Sequence, residues 1–248
     1  MAHSVDEVRN IALTGHSGAG KTALAEAIVF NTGQLNRLGR VEDGTTVSDH
    51  DPEEIERKIS IKASLLSGPW GNFHFNVIDT PGYADFLPET QSALRVADGS
   101  VVAVESVSGI DVGTERVWKY AEEYNLPRIV FINKMDRPDV DLDRVMEQVR
   151  DRFGRQAVAL QHPVSSGEGF HQVVDLVEMK LYSYIEGKSQ ATDLGDLESE
   201  VATMREQLVE AIAETDEGLM EKYFSEGELS DEDIKAGLRK AILSRELF

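Results

Sequence analysis

The chain contains no cysteine, so it can form neither a disulfide framework nor a thiolate metal site. It also lacks long apolar runs: no stretch approaches the roughly 20 residues that a membrane-spanning helix needs. Its first ten residues are polar and acidic, which is not the basic-then-apolar pattern of a secretory signal. From these absences we expect a cytoplasmic protein without a membrane partner.

Basic residues are scarce as well. Against 45 Asp and Glu stand only 25 Lys and Arg, which gives a formal net charge of −20. This balance argues against a broad nucleic-acid-binding surface, because phosphate contacts need Lys and Arg. Residues 186–233 hold 16 acidic and 3 basic residues, about two thirds of the excess charge. This acidic segment is either a solvated helical face or a docking surface for a basic or partly apolar protein partner.

Strand and helix signals alternate in the first part of the chain. Short continuous apolar runs at residues 8–14, 73–79, 100–107 and 128–133 are typical of strands buried on both faces. Helical patterns lie between or after them, at residues 21–31, 114–125 and 140–153. The alternation predicts an α/β fold with a mostly parallel sheet and helices on both faces. Residues 59–67 are predicted to form a strand that pairs antiparallel with residues 73–79.

The pattern changes after about residue 154. Residues 157–163 and 173–184 each predict a strand of a second, small sheet. Apolar residues spaced three and four apart then predict an amphipathic helix: Leu194, Leu197, Val201, Met204, Leu208 and Ile212. A last helix is predicted to begin near Ser230, whose hydroxyl is suited to cap it. We therefore expect a core at residues 1–154 and an inserted α+β subdomain at residues 155–248.

Residues 15–22, with the sequence GHSGAGKT, fit the phosphate-binding pattern G-x-x-x-x-G-K-[ST] between a predicted strand and a predicted helix. The backbone amides of such a loop surround a β-phosphate, and the helix N-terminus adds positive potential. Lys21 is expected to neutralise the β- and γ-phosphates, and the Thr22 hydroxyl to bind Mg²⁺. The predicted nucleotide-binding residues of this loop are Gly15, His16, Ser17, Gly18, Ala19, Gly20, Lys21, Thr22 and Ala23.

Two further motifs follow predicted strands. In DTPG at residues 79–82, the Asp79 carboxylate can hold Mg²⁺ and the Gly82 amide can meet a γ-phosphate. In NKMD at residues 133–136, the Asp136 carboxylate can accept hydrogen bonds from N1–H and N2–H₂ of guanine, a pair that adenine does not present. Together with the loop, Asp79, Gly82, Asn133, Lys134 and Asp136 predict a site for GTP or GDP with Mg²⁺.

On these motifs the chain resembles the GTPase domain of translation elongation factor G. The resemblance also rests on residues 43–49 (DGTTVSD), 56–61 (ERKISI), 79–86 and 133–137, and it covers essentially the whole chain. It is strongest to the divergent second form of this factor found in some bacteria. The resemblance implies that residues from about 155 onward form the family's inserted subdomain, which faces the ribosomal stalk protein, and that the protein acts on the ribosome as a monomer.

The chain departs from the family pattern near the expected γ-phosphate. The resemblance assigns the metal-binding hydroxyl of the first switch to Ser60, where the family has Thr, so the expected metal ligands are Thr22, Ser60 and Asp79. It assigns the position beside the attacking water to Tyr83, where the family has His. Ser17 stands where the family has an apolar residue, Gly18 where it has Asp, and Lys58 where it has Gly, while the other apolar wing is kept as Ile59.

These observations predict a GTPase that the ribosome stimulates, acting in translocation or a related step, with a low intrinsic rate. The expected catalytic residues are Tyr83, Lys21 and Gly82. The alternative is a GTP-binding switch with little or no hydrolysis, whereas NKMD at 133–136 disfavours an ATP-driven protein. Residues 41–58 are predicted to be mobile without GTP and Mg²⁺, with Ser60 on the metal as their only fixed anchor. The family's fifth nucleotide motif would follow residue 248, so we expect the chain to be part of a longer protein.

Overall fold

The computed structural model describes residues 3–185 and 188–248, and the chain divides into two compact units, Met1–Lys134 and Met135–Phe248. Glu186, the first residue of the acidic segment, lies outside the described residues. The division of the chain into a core and an insertion after residue 154 stays a prediction. Within the described part of the chain, no helix combines the length and the apolar character needed to cross a membrane.

The first unit is built on a five-stranded sheet in the order β2-β3-β1-β4-β5. β1 is parallel to both β3 and β4, β4 is parallel to β5, and β2 alone runs antiparallel, beside β3. The predicted α/β fold with a mostly parallel sheet is confirmed, including the antiparallel strand. The strands are β1 (Val8–Gly15), β2 (Ser64–Trp70), β3 (Phe73–Asp79), β4 (Gly99–Glu105) and β5 (Arg128–Asn133).

Helices cover both faces of this sheet, as neighbouring residues of β1 demonstrate. Leu13 packs in one core cluster with Ala25 of α1, whereas Ala12 packs in another with Leu94 of α3 and Ala121 of α4. Because successive side chains of a strand point to opposite faces, α1 and the pair α3 and α4 lie on opposite sides. The helices of this unit are α1 (Lys21–Asn31), α2 (Pro52–Arg57), α3 (Leu87–Leu94) and α4 (Val112–Glu123).

The predicted strand at residues 59–67 is wrong at its start, since β2 begins only at Ser64. The backbone N–H groups of Ile61 and Lys62 donate to the Glu54 carboxylate, at 2.9 and 3.1 Å, instead of to a neighbouring strand. The pattern of residues 59–67 gave no sign that the Glu54 carboxylate would replace a neighbouring strand as the acceptor for these N–H groups. The antiparallel pairing with β3 is as predicted, and the turn between the two strands contains Gly71 at φ 57°.

The short helix α2 was not predicted, although its signals are local. Asp51 is the N-cap and accepts a hydrogen bond from the Glu53 N–H at 3.1 Å, while Pro52 opens the first turn. The Glu54 side chain accepts from the Asp51 N–H at 3.2 Å and completes a capping box. The helix ends at Arg57, and its C-cap Lys58 has a left-handed conformation with φ 55°.

In its described residues, the second unit contains a four-stranded antiparallel sheet in the order β6-β7-β8-β9 and four helices. Its core includes Leu176, Leu208, Ile212 and Ile234. The elements are α5 (Leu142–Phe153), β6 (Gln161–Pro163), β7 (Gln172–Asp175), β8 (Lys180–Ile185), β9 (Lys188–Thr192), α6 (Leu197–Ala213), α7 (Glu217–Glu226) and α8 (Asp231–Ser244). The predicted amphipathic helix corresponds to α6. The predicted cap of the last helix is confirmed, because the Ser230 hydroxyl accepts from the Asp233 N–H at 3.1 Å.

The strand predicted at residues 173–184 is instead a hairpin of β7 and β8. The carboxylate of Asp175 accepts from the N–H groups of Val177 and Glu178, at 2.9 and 2.8 Å, and turns the chain back. A side chain that captures its own downstream amides ends a strand even within an apolar run. The strand predicted at 157–163 is likewise reduced to residues 161–163.

Replacing Ile212 by Ala should lower the free energy of unfolding by about 2–5 kcal/mol, because Ile212 is fully buried and the substitution leaves a cavity. Urea unfolding followed by circular dichroism measures this change. Leu243 on α8 is 58% exposed, so Leu243→Ala serves as the control with a much smaller effect. Equal losses of stability for both variants would contradict the assignment of Ile212 to the core.

Candidate functional site

The phosphate loop joins the end of β1 to the start of α1. Gly20 is the N-cap of α1 with φ 91°, and a Cβ atom there would lie 2.2 Å from Nδ2 of Asn133. The Asn133 amide uses this space and donates a hydrogen bond to the carbonyl oxygen of Ala19 at 2.9 Å. The glycine that closes the loop therefore lets the first residue of the NKMD motif hold the loop in place. These contacts bring the first and third motifs together.

Lys21 is buried inside the loop that it follows. Its ammonium donates to the carbonyl oxygens of Gly15 at 3.1 Å and His16 at 2.8 Å. Burial lowers the pKa of Lys21 to about 8, and the nearby carboxylates of Asp79 and Asp49 act in the opposite direction. At that pKa the side chain is still largely cationic near pH 7. A cation held in a loop at a helix N-terminus is the arrangement that binds phosphate oxygens.

The three predicted metal ligands lie together. The Thr22 hydroxyl donates to Oδ2 of Asp79 at 2.7 Å and lies 3.0 Å from the Ser60 hydroxyl oxygen. Sequence reasoning missed two further members of this cluster. The Ser48 hydroxyl donates to the same Oδ2 of Asp79 at 2.6 Å, and Asp49 is hydrogen-bonded to Ser60. Ser48 and Asp49 occur in the DGTTVSD stretch, but nothing in their spacing indicates that they approach β3.

The cluster fits a magnesium ion. Burial raises the pKa of Asp79 to about 6 and also raises the pKa of Asp49, while hydrogen bonds from hydroxyl groups oppose both shifts. In each carboxylate, Oδ1 is buried and has no hydrogen-bond partner among residues 3–185 and 188–248. Buried carboxylate oxygens are costly unless a donor or a cation meets them, and Mg²⁺ prefers oxygen ligands. Thr22, Ser60 and Asp79 are the residues placed to hold the ion.

The DTPG loop is fixed at its start and lies against the phosphate loop. The Thr80 hydroxyl donates to the Leu13 carbonyl oxygen of β1 at 2.6 Å. At Gly82 an added Cβ atom would lie 2.5 Å from the backbone N of Ser17 and 2.6 Å from Nζ of Lys21. Only a residue without a side chain allows this close approach. The next residue, Tyr83, is 44% exposed and begins a short 3-10 turn.

In the NKMD motif the backbone is held by the residue that follows β4. Ser106 donates through its N–H to the Asn133 carbonyl oxygen at 2.9 Å and through its hydroxyl to the Lys134 carbonyl oxygen at 2.8 Å. The Lys134 ammonium forms an ion pair with Glu105 at 2.8 Å, and Lys134 itself has φ 61°. Asp136 is exposed and belongs to the second unit, so its expected role rests on its place in the motif.

The segment that contains Ser48 and Ser60 has more anchors than the sequence indicated. We expected Ser60 on the metal to be the only fixed point of residues 41–58, and this expectation is wrong. The Glu26 carboxylate accepts from the Val47 N–H at 3.0 Å, and the Glu54 carboxylate accepts from the Ile61 N–H at 2.9 Å. Both glutamates are buried. A glutamate side chain is usually exposed, so no signal in the sequence pointed to these contacts.

Comparisons with known proteins show what the chain is similar to. The family model of the elongation factor Tu GTP binding domain matches residues 6–230. A crystal structure of a protein from Thermus thermophilus is similar to the chain with a TM-score of 0.89 and 35% sequence identity. The match covers 96% of this chain and 36% of that chain, so the present chain spans about a third of the length of that protein.

Gly82→Ala should weaken binding of a non-hydrolysable GTP analogue more than binding of GDP. The added methyl group collides with the Ser17 backbone, so the DTPG loop must move away from the position that a γ-phosphate contacts. Isothermal titration calorimetry with both nucleotides measures the difference. Gly99→Ala is the matched control, since a Cβ atom there meets nothing closer than 3.4 Å. If Gly82→Ala leaves the ratio of the two affinities unchanged, the loop does not contact the γ-phosphate.

Proposed function

The chain belongs to the family of the elongation factor Tu GTP-binding domain, and from this premise we propose that it binds and hydrolyses GTP within a translation factor similar to elongation factor G. The observation that carries the proposal is the cluster of Thr22, Ser60 and Asp79 beside the buried cation of Lys21. Hydroxyl groups, a carboxylate and an ammonium at the end of a glycine loop match the chemistry of a Mg²⁺–nucleotide complex.

Each part of the site has a distinct task in this proposal. The amides of the phosphate loop and the Lys21 ammonium hold the β- and γ-phosphates, and the Gly82 N–H donates to the γ-phosphate. Thr22 and Ser60 supply hydroxyl ligands and Asp79 a carboxylate. When bound, Mg²⁺ neutralises charge that develops on the phosphate oxygens. The chain's own contribution is therefore orientation and electrostatic stabilisation rather than covalent chemistry.

Guanine recognition is assigned to the NKMD motif. Asn133, the first residue of the motif, donates to the Ala19 carbonyl oxygen of the phosphate loop. Asp136 would accept two hydrogen bonds from the Watson–Crick edge of guanine. A site built around that acceptor rejects adenine, because the carboxylate would lose its donors.

A switch with little hydrolysis is the second candidate, and Tyr83 favours it. Tyr83 stands where the family has His, and its side chain is 44% exposed. A phenol hydroxyl can orient water but carries no positive charge. Ser17 and Gly18, which replace an apolar residue and an acidic one, leave the γ-phosphate less shielded. We expect slow intrinsic hydrolysis that the ribosome accelerates.

The partners of the proposed factor follow from the family resemblance. The ribosome would be the main partner, in translocation or a related step, with the protein monomeric in the cytoplasm. Helix α6 and its C-cap carry exposed acidic side chains: Glu198, Glu200, Glu206, Glu210 and Glu214. Such a charged face suits the stalk protein that the family's insertion contacts, and it suits no polyanion.

Asp136→Asn should weaken GDP binding by about 10- to 100-fold and improve xanthosine diphosphate binding. The substitution exchanges one acceptor oxygen for a donor, which matches xanthine and not guanine. Competition binding with GDP, ADP and xanthosine diphosphate measures both effects. Asp139→Asn changes another exposed aspartate three residues away and should leave all three affinities unchanged. A parent protein that binds ADP as well as GDP would refute guanine recognition.

Single-turnover GTP hydrolysis, with and without ribosomes, tests the proposed activity and the role of Tyr83. We expect ribosomes to raise the hydrolysis rate of the parent protein. On the ribosome, Tyr83→His should hydrolyse GTP faster than the parent, and Tyr83→Phe should hydrolyse it about 10- to 100-fold more slowly. The phenylalanine variant keeps the ring and removes only the hydroxyl. Equal rates for the three proteins would remove Tyr83 from the chemistry. GTP binding without turnover, even on the ribosome, would favour the switch instead.

A further inference from the structure

Buried glutamates hold the segment between α1 and β2. Glu26, in the middle of α1, is 1% exposed, and its two carboxylate oxygens accept from different parts of this segment. Oε1 accepts from the Gly39 N–H at 2.9 Å, and Oε2 accepts from the Val47 N–H at 3.0 Å. One side chain therefore closes the loop from residue 39 to residue 47 on itself.

Glu54 does the same at the other end of the segment. It is also 1% exposed, and its Oε1 accepts from the N–H groups of Ile61 at 2.9 Å and Lys62 at 3.1 Å. Its Oε2 accepts from the Asp51 N–H at 3.2 Å and caps α2. Five backbone N–H groups of one segment thus donate to two carboxylates, which offsets the cost of burying the two charges.

Each glutamate fixes the residue next to a serine of the metal cluster. Val47 precedes Ser48, whose hydroxyl donates to Asp79 at 2.6 Å. Ile61 follows Ser60, whose hydroxyl oxygen lies 3.0 Å from that of Thr22. Because neighbouring Cα atoms are about 3.8 Å apart, a fixed amide leaves the adjacent serine little freedom to leave the cluster.

We propose that Glu26 and Glu54 are positioning residues that clamp this segment so that Ser60 meets the Mg²⁺ of a bound GTP and Ser48 stays hydrogen-bonded to Asp79. The inference rests on the proposed function, because it assigns regulation to the same site. Leu35 packs against the core at the start of the segment, but apolar packing gives the part near the serines little support, since Val47 is 45% exposed and Ile55 is 40% exposed. The carboxylate clamps, which carry charge and accept only backbone donors, therefore decide where the serines lie.

Replacing each glutamate by glutamine tests whether its acceptor atoms matter or only the space that its side chain fills. Gln has the shape of Glu, but one of its terminal atoms is an amide nitrogen that donates. At position 26 or 54 it would point a donor at a backbone N–H, so at least one hydrogen bond is lost. Partners that orient metal ligands typically change metal affinity by about 10- to 100-fold when they are removed. Phosphate and base contacts do not involve either glutamate, so nucleotide binding without Mg²⁺ should change little.

Because the chain contains no cysteine, one introduced cysteine can carry a single nitroxide label. Glu42 is exposed and lies inside the loop that Glu26 closes, so Glu42→Cys provides the labelled parent. Glu26→Gln, Glu54→Gln and the control Glu56→Gln, an exposed glutamate on α2, are made in this parent. Each protein is titrated with Mg²⁺ in the presence of a non-hydrolysable GTP analogue while binding and the label spectrum are recorded.

We expect Glu26→Gln and Glu54→Gln to need about 10- to 100-fold more Mg²⁺ than the control for analogue binding. The label should stay mobile in Glu26→Gln at Mg²⁺ concentrations that immobilise it in the control. If both variants titrate like Glu56→Gln, the clamp is overturned while the proposed function stands. If the labelled parent binds no guanine nucleotide, the proposed function fails, and this inference fails with it.

Folding is checked by thermal unfolding without nucleotide. Where a glutamine variant loses its fold, Glu26→Asp or Glu54→Asp replaces it, because Asp keeps the charge but is one methylene too short to reach both amides. The same increase in the Mg²⁺ requirement is expected from the aspartate variants. Unchanged Mg²⁺ dependence in a folded aspartate variant would overturn the clamp.

Discussion

The buried carboxylate of Asp79 is the constraint on which the rest of the site depends. It lies at the end of β3, where burial raises its pKa, and two hydroxyl groups donate to its Oδ2. Those hydroxyls come from Thr22 at the start of α1 and from Ser48 in the segment before β2. A charge removed from water must be met by donors or a cation, so this one side chain forces separate parts of the chain to converge.

The parallel sheet makes that convergence possible. The carboxyl ends of parallel strands meet at one edge, so the residues that follow β1, β3 and β5 are brought close together. At this edge Asn133 reaches Ala19, and Gly82 approaches Ser17, although each pair is far apart in the chain. Glycine at positions 20 and 82 removes the side chains that would block these approaches. The order of the parallel strands therefore brings the residues of the site together, and the absence of a Cβ atom at Gly20 and Gly82 allows their close contacts.

In the proposed factor, Tyr83 lies in different surroundings from the groups that hold the nucleotide. The contacts that hold the phosphate loop and the metal cluster are short hydrogen bonds among buried and partly buried groups. Tyr83, by contrast, is substantially exposed. In the proposed factor, such a division keeps nucleotide binding tight while leaving the rate of hydrolysis to be set by whatever docks against the exposed side chain.

The sequence by itself determined the parallel strands of the first sheet and the motifs that follow them. β3 and β5 begin and end at the predicted residues because continuous apolar runs bounded by polar motifs admit one position in a buried sheet. The motifs, together with the family resemblance, likewise predicted the cluster of Thr22, Ser60 and Asp79. The capping box of α2 and the turn at Asp175 are also local, and side chains that capture nearby backbone amides overrode the apolar pattern there.

The tertiary structure alone decided which polar groups are buried and what they hold. Glu26 accepts from amides 13 and 21 residues away, and Ser48 reaches an aspartate 31 residues further along the chain. A glutamate in an amphipathic pattern and a serine in a polar loop look like solvated residues, because composition and spacing carry no information about distant donors. Glu26 is buried where its carboxylate meets Gly39 and Val47, and only the tertiary structure brings these residues to it.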